Sequence, residues 1–258
     1  DFAKPEHLFS VVRESGSNEV ASVVRQKLAD PGLSDSRKLI LAELLAQIGN
    51  SADAGLALKF DPIHPTILYA LVNAARERNL KAPANAAELL NVPLKTAATR
   101  AVAVQLIGAW KLNAHAETIH AIAASQTEPL AVRVAASVAL GKLNIAQAVE
   151  TLTSLVTGNG AADLRVGALG SLAKLDVALA AKLTAWLSDQ VKPDELGPLL
   201  AALLQRNAGA DAMAVALGHK EVSADTAKLI LRWLNAAGRE EPKLNLVLNK
   251  VIGVQSVA

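Results

Sequence analysis

Along most of the chain, apolar residues recur every three to four positions. Val149, Leu152 and Val156 show this spacing, which places an apolar stripe on one face of a helix. Proline and glycine stand between the periodic stretches, as in Asp30-Pro31-Gly32 and Lys192-Pro193-Asp194, where they end helices. No stretch of useful length alternates apolar and polar residues as a half-buried strand does. The pattern predicts an all-α protein.

One phrase of the sequence returns at a nearly constant spacing. Arg133-Val-Ala-Ala-Ser-Val-Ala-Leu-Gly141 has related phrases that open at Arg100 and Arg165, which lie 33 and 32 residues from Arg133. Weaker copies open at Arg37, Leu199 and Ala227. A fixed period in this range is typical of a helical-repeat protein.

Each copy follows another stretch with helical periodicity, so the repeating unit is predicted to be a helix pair. About seven pairs fit the chain, and stacked pairs form a right-handed α-solenoid. We expect a single repeat domain over residues 1–258: an N-terminal cap and first helix over 1–35, repeats over 36–240 and a C-terminal cap over 241–258. Between Asn79 and Lys95, Pro83 and Pro93 leave room only for a short helix near Ala86-Ala-Glu-Leu-Leu90.

The repeated phrase resembles the second helix of a HEAT repeat. The residues that carry the resemblance are Arg133, Ala135, Ala136, Leu140 and Gly141. The resemblance implies an armadillo-like stack of helix pairs whose extended surface binds proteins and which has no active site of its own.

Several shorter phrases between about residues 62 and 253 resemble the helical region of large exported proteins of planctomycete-type bacteria. These phrases are Ala-Ala-Arg-Glu-Arg-Asn79, Gly-Ala-Trp-Lys-Leu112, Leu-Leu-Gln-Arg206, Asp225-Thr-Ala-Lys-Leu229 and Ala-Gly-Arg239. In that family the helical region joins a dehydrogenase-like β-propeller to a c-type haem domain. The resemblance implies a periplasmic or exported spacer, with the haem and any oxidation site outside this chain. Because the chain opens on Asp1 without an initiator methionine, we also expect a segment of a longer polypeptide.

The charge and cysteine content narrow the functions further. Lysine and arginine number 26 against 24 aspartate and glutamate residues, so no strong field attracts nucleic acid or an anionic membrane. The absence of cysteine excludes disulfides, thiolate metal sites and a Cys-x-x-Cys-His haem attachment within these residues. No window approaches the roughly 18 apolar residues of a membrane span. We expect no cofactor in this chain.

The arginines at the repeated position are predicted to form a ladder on successive second helices. Its members are Arg37, Arg100, Arg133 and Arg165. One hypothesis makes the ladder an anion-binding groove on the concave face. We favour a structural interpretation, in which each guanidinium pairs with a carboxylate or with a helix carboxyl end of the neighbouring repeat. Asp35, Glu128 and Asp163 are candidate partners.

A second set of residues is a candidate interaction surface. Its members are Arg76, Arg78, Trp110 and Lys111. The two arginines make a basic cluster with Lys81, and such a cluster is most often a solvated helix end. Exposed tryptophans often anchor interfaces, and we expect Trp110 to reach the surface more readily than Trp186 or Trp233. All three tryptophans also fit apolar helical positions, which suit a core role.

No pattern supplies an active site or a metal site. The five histidines include no pair at the i, i+4 spacing of a helical zinc site, and Glu117 with His120 gives only half of a di-metal motif. Gly158-Asn159-Gly160 follows a helix rather than a strand, so we interpret it as a turn. Nucleophile-elbow and Walker-type elements are absent from the sequence. We predict no catalytic, cofactor-binding or metal-binding residue.

Three classes of function stay open. The leading hypothesis is a non-catalytic scaffold or protein-binding module, because stacked helix pairs offer an extended surface without catalytic groups. Its partner would be a neighbouring domain of the same polypeptide or another protein, and we expect a monomer. The alternatives are a nucleic-acid-binding HEAT-like protein, which the balanced charge argues against, and a HEAT-like enzyme, for which no nucleophile or metal ligand set is visible.

Overall fold

The computed structural model describes residues 17–143, 145–220 and 222–253, and all regular structure among them is helical. The predicted all-α class is therefore confirmed. The first 16 residues of the predicted N-terminal cap and the last five of the predicted C-terminal cap lie outside the described residues. The chain divides into two compact units, of which the first ends at Ile119 and the second begins at His120.

The first unit contains seven of the helices that we number in chain order. They are α1 (Ser17–Leu28), α2 (Asp35–Ile48), α3 (Ser51–Leu58), α4 (Pro65–Glu77), α5 (Ala86–Leu89), α6 (Asn91–Lys95) and α7 (Ala97–Trp110), followed by a 3₁₀ turn (Asn113–His115). Helices α2, α4 and α7 lie side by side, with α1 and α3 against α2 and with α6 against α7. Fully buried leucine and isoleucine side chains fill the space between them, among them Leu45, Leu71 and Ile107.

Polar groups fix the start of α3 inside this unit. The Asn50 side chain accepts hydrogen bonds from the backbone N–H groups of Ala52 and Asp53, and the Asp53 carboxylate accepts one from the backbone of Asn50. This reciprocal arrangement is a capping box, which satisfies N–H groups that the helix itself leaves unbonded. Asp53 is only 1% exposed, and Arg25 on α1 binds its second oxygen at 2.9 Å. The buried carboxylate is thus both paired and hydrogen bonded.

The proline-rich stretch forms the predicted short helix, α5, and a second short helix, α6, that the sequence did not predict. Helix α5 has four residues and α6 has five. His115 donates from Nε2 to the carbonyl oxygen of Ala87 at 3.0 Å, which ties the 3₁₀ turn to α5. The stretch is therefore held by bonds to other elements, because its own helices are too short to be stable alone.

The second unit begins within α8 (Ala116–Ala124) and continues with eight more helices. They are α9 (Leu130–Leu140), α10 (Ala148–Thr157), α11 (Ala162–Leu175), α12 (Val177–Leu187), α13 (Pro193–Leu204), α14 (Gly209–Gly218), α15 (Ala224–Ala236) and α16 (Pro242–Ile252). Odd-numbered helices from α9 to α15 pack in one row, and even-numbered helices from α10 to α16 pack in another. The apolar side chains between the two rows form the core of this unit.

Small residues let neighbouring helices of the odd-numbered row approach closely. A methyl group on Gly141, at the end of α9, would lie 2.8 Å from the Ser171 Cβ on α11. A methyl group on Gly197, on α13, would lie 2.8 Å from Nε1 of Trp233 on α15. Both distances are shorter than carbon and nitrogen atoms tolerate, so these two glycines are fixed by packing.

Candidate functional site

The two ladder arginines of the first unit differ in exposure. Arg37 is exposed in the first turn of α2, and Arg100 is half-buried on α7. The candidate partner Asp35 is exposed at the first position of α2, two residues before Arg37. Helical residues two apart point in different directions, so a side-chain pair between them is not favoured.

Arg165 ties three elements of the second unit together. Its Nη1 donates to Oε2 of Glu195 on α13 at 2.7 Å, and its Nη2 donates to the carbonyl oxygens of Gly158 and Gly160 at 3.2 and 3.5 Å. The side chains of Arg165 and Glu195 are 13% and 25% exposed, so the ion pair is largely withdrawn from solvent. The Gly158-Asn159-Gly160 segment is a bend between α10 and α11, held in place by this arginine.

Arg133 lies at the equivalent position of α9 and makes a weaker set of bonds. Its Nε donates to the carbonyl oxygen of Ala123, near the carboxyl end of α8, at 3.3 Å. In the described part of the chain, no carboxylate accepts a hydrogen bond from this guanidinium. The two terminal nitrogens of Arg133 therefore have no protein acceptor there.

The four residues of the predicted interaction surface have different roles. Arg76 is exposed on α4, and Lys111 is exposed in a left-handed conformation with φ 55° just after α7. Arg78 donates to the carbonyl oxygens of Ile48 and Gly49 at 3.4 and 3.2 Å, so it caps the carboxyl end of α2. Partial burial lowers the pKa of the Arg78 guanidinium.

The prediction that Trp110 is the most accessible tryptophan is wrong. Trp110 is half-buried, and its Nε1 donates to the carbonyl oxygen of Leu80 at 2.9 Å, which fixes the segment after α4. Trp186, at the end of α12, is 40% exposed, whereas Trp233 packs against Gly197. Trp110 has an acceptor for its indole N–H inside the fold, which explains its inward position.

A polar cleft in the second unit was not predicted from the sequence. Its volume is about 740 Å³, and it lies between the carboxyl end of α8, the first turn of α9, helix α10 and the Gly158–Gly160 bend. Its lining includes Arg133, Glu150 and His120, together with the carboxamides of Gln126, Gln147 and Asn159. No sequence motif joins these residues, because they come from three helices and a bend.

A smaller cleft lies at the carboxyl ends of α11 and α13. Its volume is about 360 Å³, and its lining includes Lys174 and Arg206, both exposed. The two residues are 32 positions apart, so they occupy equivalent places in the repeat. Cations at helix carboxyl ends stabilise the helix dipole, and this structural role accounts for the pair without a ligand.

Side-chain hydrogen bonds that join residues more than ten positions apart recur at a nearly constant separation along the chain within each unit. In the first unit they are Arg25 to Asp53, Ser51 to Ala82, Arg78 to Gly49, Trp110 to Leu80 and His115 to Ala87. In the second unit they are Arg165 to Glu195, Lys220 to Ala185, Ser223 to Asp189 and Lys243 to Asp211. All of these residue pairs are 28 to 35 positions apart, which equals about one repeat.

The described residues include no group of three or more histidine, aspartate or glutamate side chains placed to hold a metal ion. None of their helices is long and apolar enough to cross a membrane.

Comparison of the chain with protein-family models, curated proteins and solved structures finds no match.

Proposed function

We propose that this chain is a non-catalytic scaffold or binding module, built as one right-handed α-solenoid of about seven HEAT-like helix pairs. The observation that carries the proposal is the one-repeat separation, 28 to 35 residues, of the side-chain hydrogen bonds that join residues more than ten positions apart in both units. In a solenoid each repeat contacts only its neighbours, so long-range bonds are limited to about one period. A globular fold with mixed connections has bonds at many separations.

The two helix rows of the second unit support the same proposal. Helices two apart in the chain lie side by side, as the second helices of successive pairs do in a stack. The ladder arginines Arg133 and Arg165 lie at the fourth position of two adjacent helices in one row. The repeat unit inferred from the sequence is thus compatible with the packing.

The partner is a neighbouring domain of the same polypeptide or another protein. The resemblance to the helical region of exported haem proteins favours the first possibility, in which the chain separates a propeller from a haem domain. Helical stacks suit this task because each added pair extends a stiff body by a fixed step.

Sequencing the encoding gene on both sides of Asp1 and Ala258 tests the parent protein. A signal peptide and a β-propeller upstream with a Cys-x-x-Cys-His downstream is the expected result. Flanking sequence without either domain would remove the haem-protein spacer from the proposal.

Cross-linking the full-length protein with a lysine-reactive reagent then tests the scaffold role. Lys174, Lys182 and Lys228 are exposed on three different helices of the second unit. We expect mass spectrometry to find cross-links from at least one of these lysines to a flanking domain or to a co-purified protein. Cross-links confined to residues 1–258 would contradict the proposed role.

A further inference from the structure

The polar cleft of the second unit has the size of a binding site. Ligand sites typically enclose roughly 300–1,000 Å³, and this cleft encloses about 740 Å³. Its side chains are mostly polar rather than apolar, and Arg133 is half-buried among them. A ligand in this cleft would meet charged and amide groups as well as the side chains of Leu155 and Leu164.

Arg133 has hydrogen-bond donors for which the described residues supply no acceptor. A guanidinium has five N–H donors, and the Ala123 carbonyl uses only the one on Nε. The bond to Ala123 restrains the side chain, while the terminal nitrogens stay available for the parallel bonds that a carboxylate accepts. Arg165, at the equivalent position, donates one such bond to a carboxylate, from Nη1 to Oε2 of Glu195 at 2.7 Å.

The charge of the cleft favours a singly charged ligand. Glu150 lies on the same lining as Arg133, so one negative charge already offsets the positive one. Arg133 can bind the carboxylate of a ligand with moderate electrostatic repulsion from Glu150. A phosphate dianion carries twice the charge and would meet stronger repulsion from Glu150.

The remaining polar groups indicate a polypeptide. Gln126, Gln147 and Asn159 each carry a carboxamide, which donates and accepts hydrogen bonds as a backbone amide does. Three such groups, exposed on the same lining as Arg133, suit an extended segment that presents an acidic side chain, because its backbone offers donors and acceptors in alternation.

We propose that this cleft binds an extended polypeptide segment. Arg133 donates hydrogen bonds to a carboxylate of the segment, and the carboxamides of Gln126, Gln147 and Asn159 form hydrogen bonds with its backbone amides. The proposal rests on the proposed binding function and assigns it a place, the second unit, and a ligand class, an acidic peptide.

Nuclear magnetic resonance on the isotope-labelled 258-residue chain tests the proposal directly. The probes are a capped heptapeptide, Ser-Ala-Ser-Glu-Ser-Ala-Ser, its analogue with Gln in place of Glu, and inorganic phosphate. We expect the Glu peptide to shift the side-chain amide signals of Gln126, Gln147 and Asn159 saturably. Its affinity should exceed that of the Gln peptide by roughly tenfold, as for a charge-assisted hydrogen bond.

Three variants define the binding groups. Arg133→Gln should remove the preference for the Glu peptide, and Glu150→Gln should strengthen binding several-fold because a like charge is gone. Arg206→Gln, in the smaller cleft, removes an equal charge elsewhere and should change nothing. If circular dichroism shows that Arg133→Gln does not fold, the affinity of Glu150→Gln for the Glu peptide tests the proposal on its own.

Several outcomes would overturn the proposal: equal affinities for the two peptides, shifts confined to other residues, weaker binding by Glu150→Gln, or phosphate binding as tight as the Glu peptide. None of them touches the scaffold role, since cross-links to a flanking domain can form through any other surface. Conversely, if residues 1–258 form no cross-links to a flanking domain or another protein, the scaffold role fails while the peptide site can still bind its ligand. The two proposals can therefore fail separately.

Discussion

Helices α9 and α11 lie side by side and carry an arginine at the same position, yet the two arginines meet different surroundings. Arg165 is bound to Glu195 and to two carbonyl oxygens of the bend before α11. Arg133 is bound through Nε to one carbonyl oxygen and borders an open cleft. Among the described residues, the repeated position is therefore tied to a carboxylate in one helix pair and has no carboxylate partner in the pair before it.

The different surroundings of Arg133 and Arg165 follow from the residue that the next helix of the row supplies to each. Glu195 follows Arg165 by 30 residues, and the residue 30 positions after Arg133 is Asp163. Glu195 is the third residue of α13, whereas Asp163 is the second residue of α11 and the third is Leu164, so α11 has no carboxylate at the equivalent place. The repeated phrase thus determines the position of each arginine, while the partner of each arginine depends on the residues of the following repeat.

The largest effect is expected from breaking the contact between the two helices themselves. Leu140 on α9 is fully buried, so Leu140→Asp places a charge in the core next to α11. We expect the free energy of unfolding to fall by more than about 4 kcal/mol. Thermal and urea unfolding followed by circular dichroism measure the loss.

Val215→Asp is the matched control for this substitution. Val215 lies on α14 in the same unit and is 62% exposed, so a charge there stays in water. Its unfolding midpoint should stay close to that of the natural chain. An unchanged midpoint for Leu140→Asp would show that α9 does not contribute its apolar face to the core.

A double-mutant cycle sharpens the comparison of the two arginines. For Arg165→Ala with Glu195→Ala we expect a coupling energy of about 1–3 kcal/mol, because the pair is largely buried and short. For Arg133→Ala with Asp163→Ala we expect a value near zero. Urea unfolding of the four single and two double variants provides both numbers. Equal couplings in the two cycles would mean that Arg133 is paired in solution.

Much of the fold follows from the sequence because helix periodicity and turn residues are local signals. The recurring arginine phrase located α7, α9 and α11, and Pro83 and Pro93 marked the stretch that forms only short helices. The spacing could not show which side chain meets which, because partners lie one repeat away on another helix. Asp163 is one of the candidate partners by sequence, whereas the carboxylate that binds Arg165 is that of Glu195.

The candidate site was harder to foresee than the fold. The cleft beside Arg133 forms where three elements and a bend leave a space, and no motif encodes a space. The same limit explains Trp110, whose apolar helical position suited either the surface or the core. Its indole N–H found an acceptor at Leu80, on a segment that has no regular structure to signal it.

The smallest effect on stability is expected from an exposed hydrogen bond between residues about one repeat apart, Asp189 and Ser223. The Oδ1 of Asp189, after α12, accepts hydrogen bonds from the backbone N–H and the hydroxyl group of Ser223, before α15. Partial burial raises the pKa of Asp189, but hydrogen bonds from Thr226 and Ser223 and the charge of Lys220 outweigh it, so the pKa is lowered. A lowered pKa in the folded state stabilises the fold above the pKa of the unfolded chain.

Asp189→Asn should therefore reduce the free energy of unfolding at pH 7 by less than about 1 kcal/mol, because the group is exposed and screened. The difference between the two chains should narrow as the pH falls below about 4, where the unfolded carboxyl becomes protonated. Urea unfolding at pH 7, 5 and 3 measures it. A difference that stays constant over this range would mean that the bond to Ser223 does not depend on the carboxylate charge. Asp189 would then act as a neutral acceptor, in contrast to Glu195, whose charge is needed to hold Arg165.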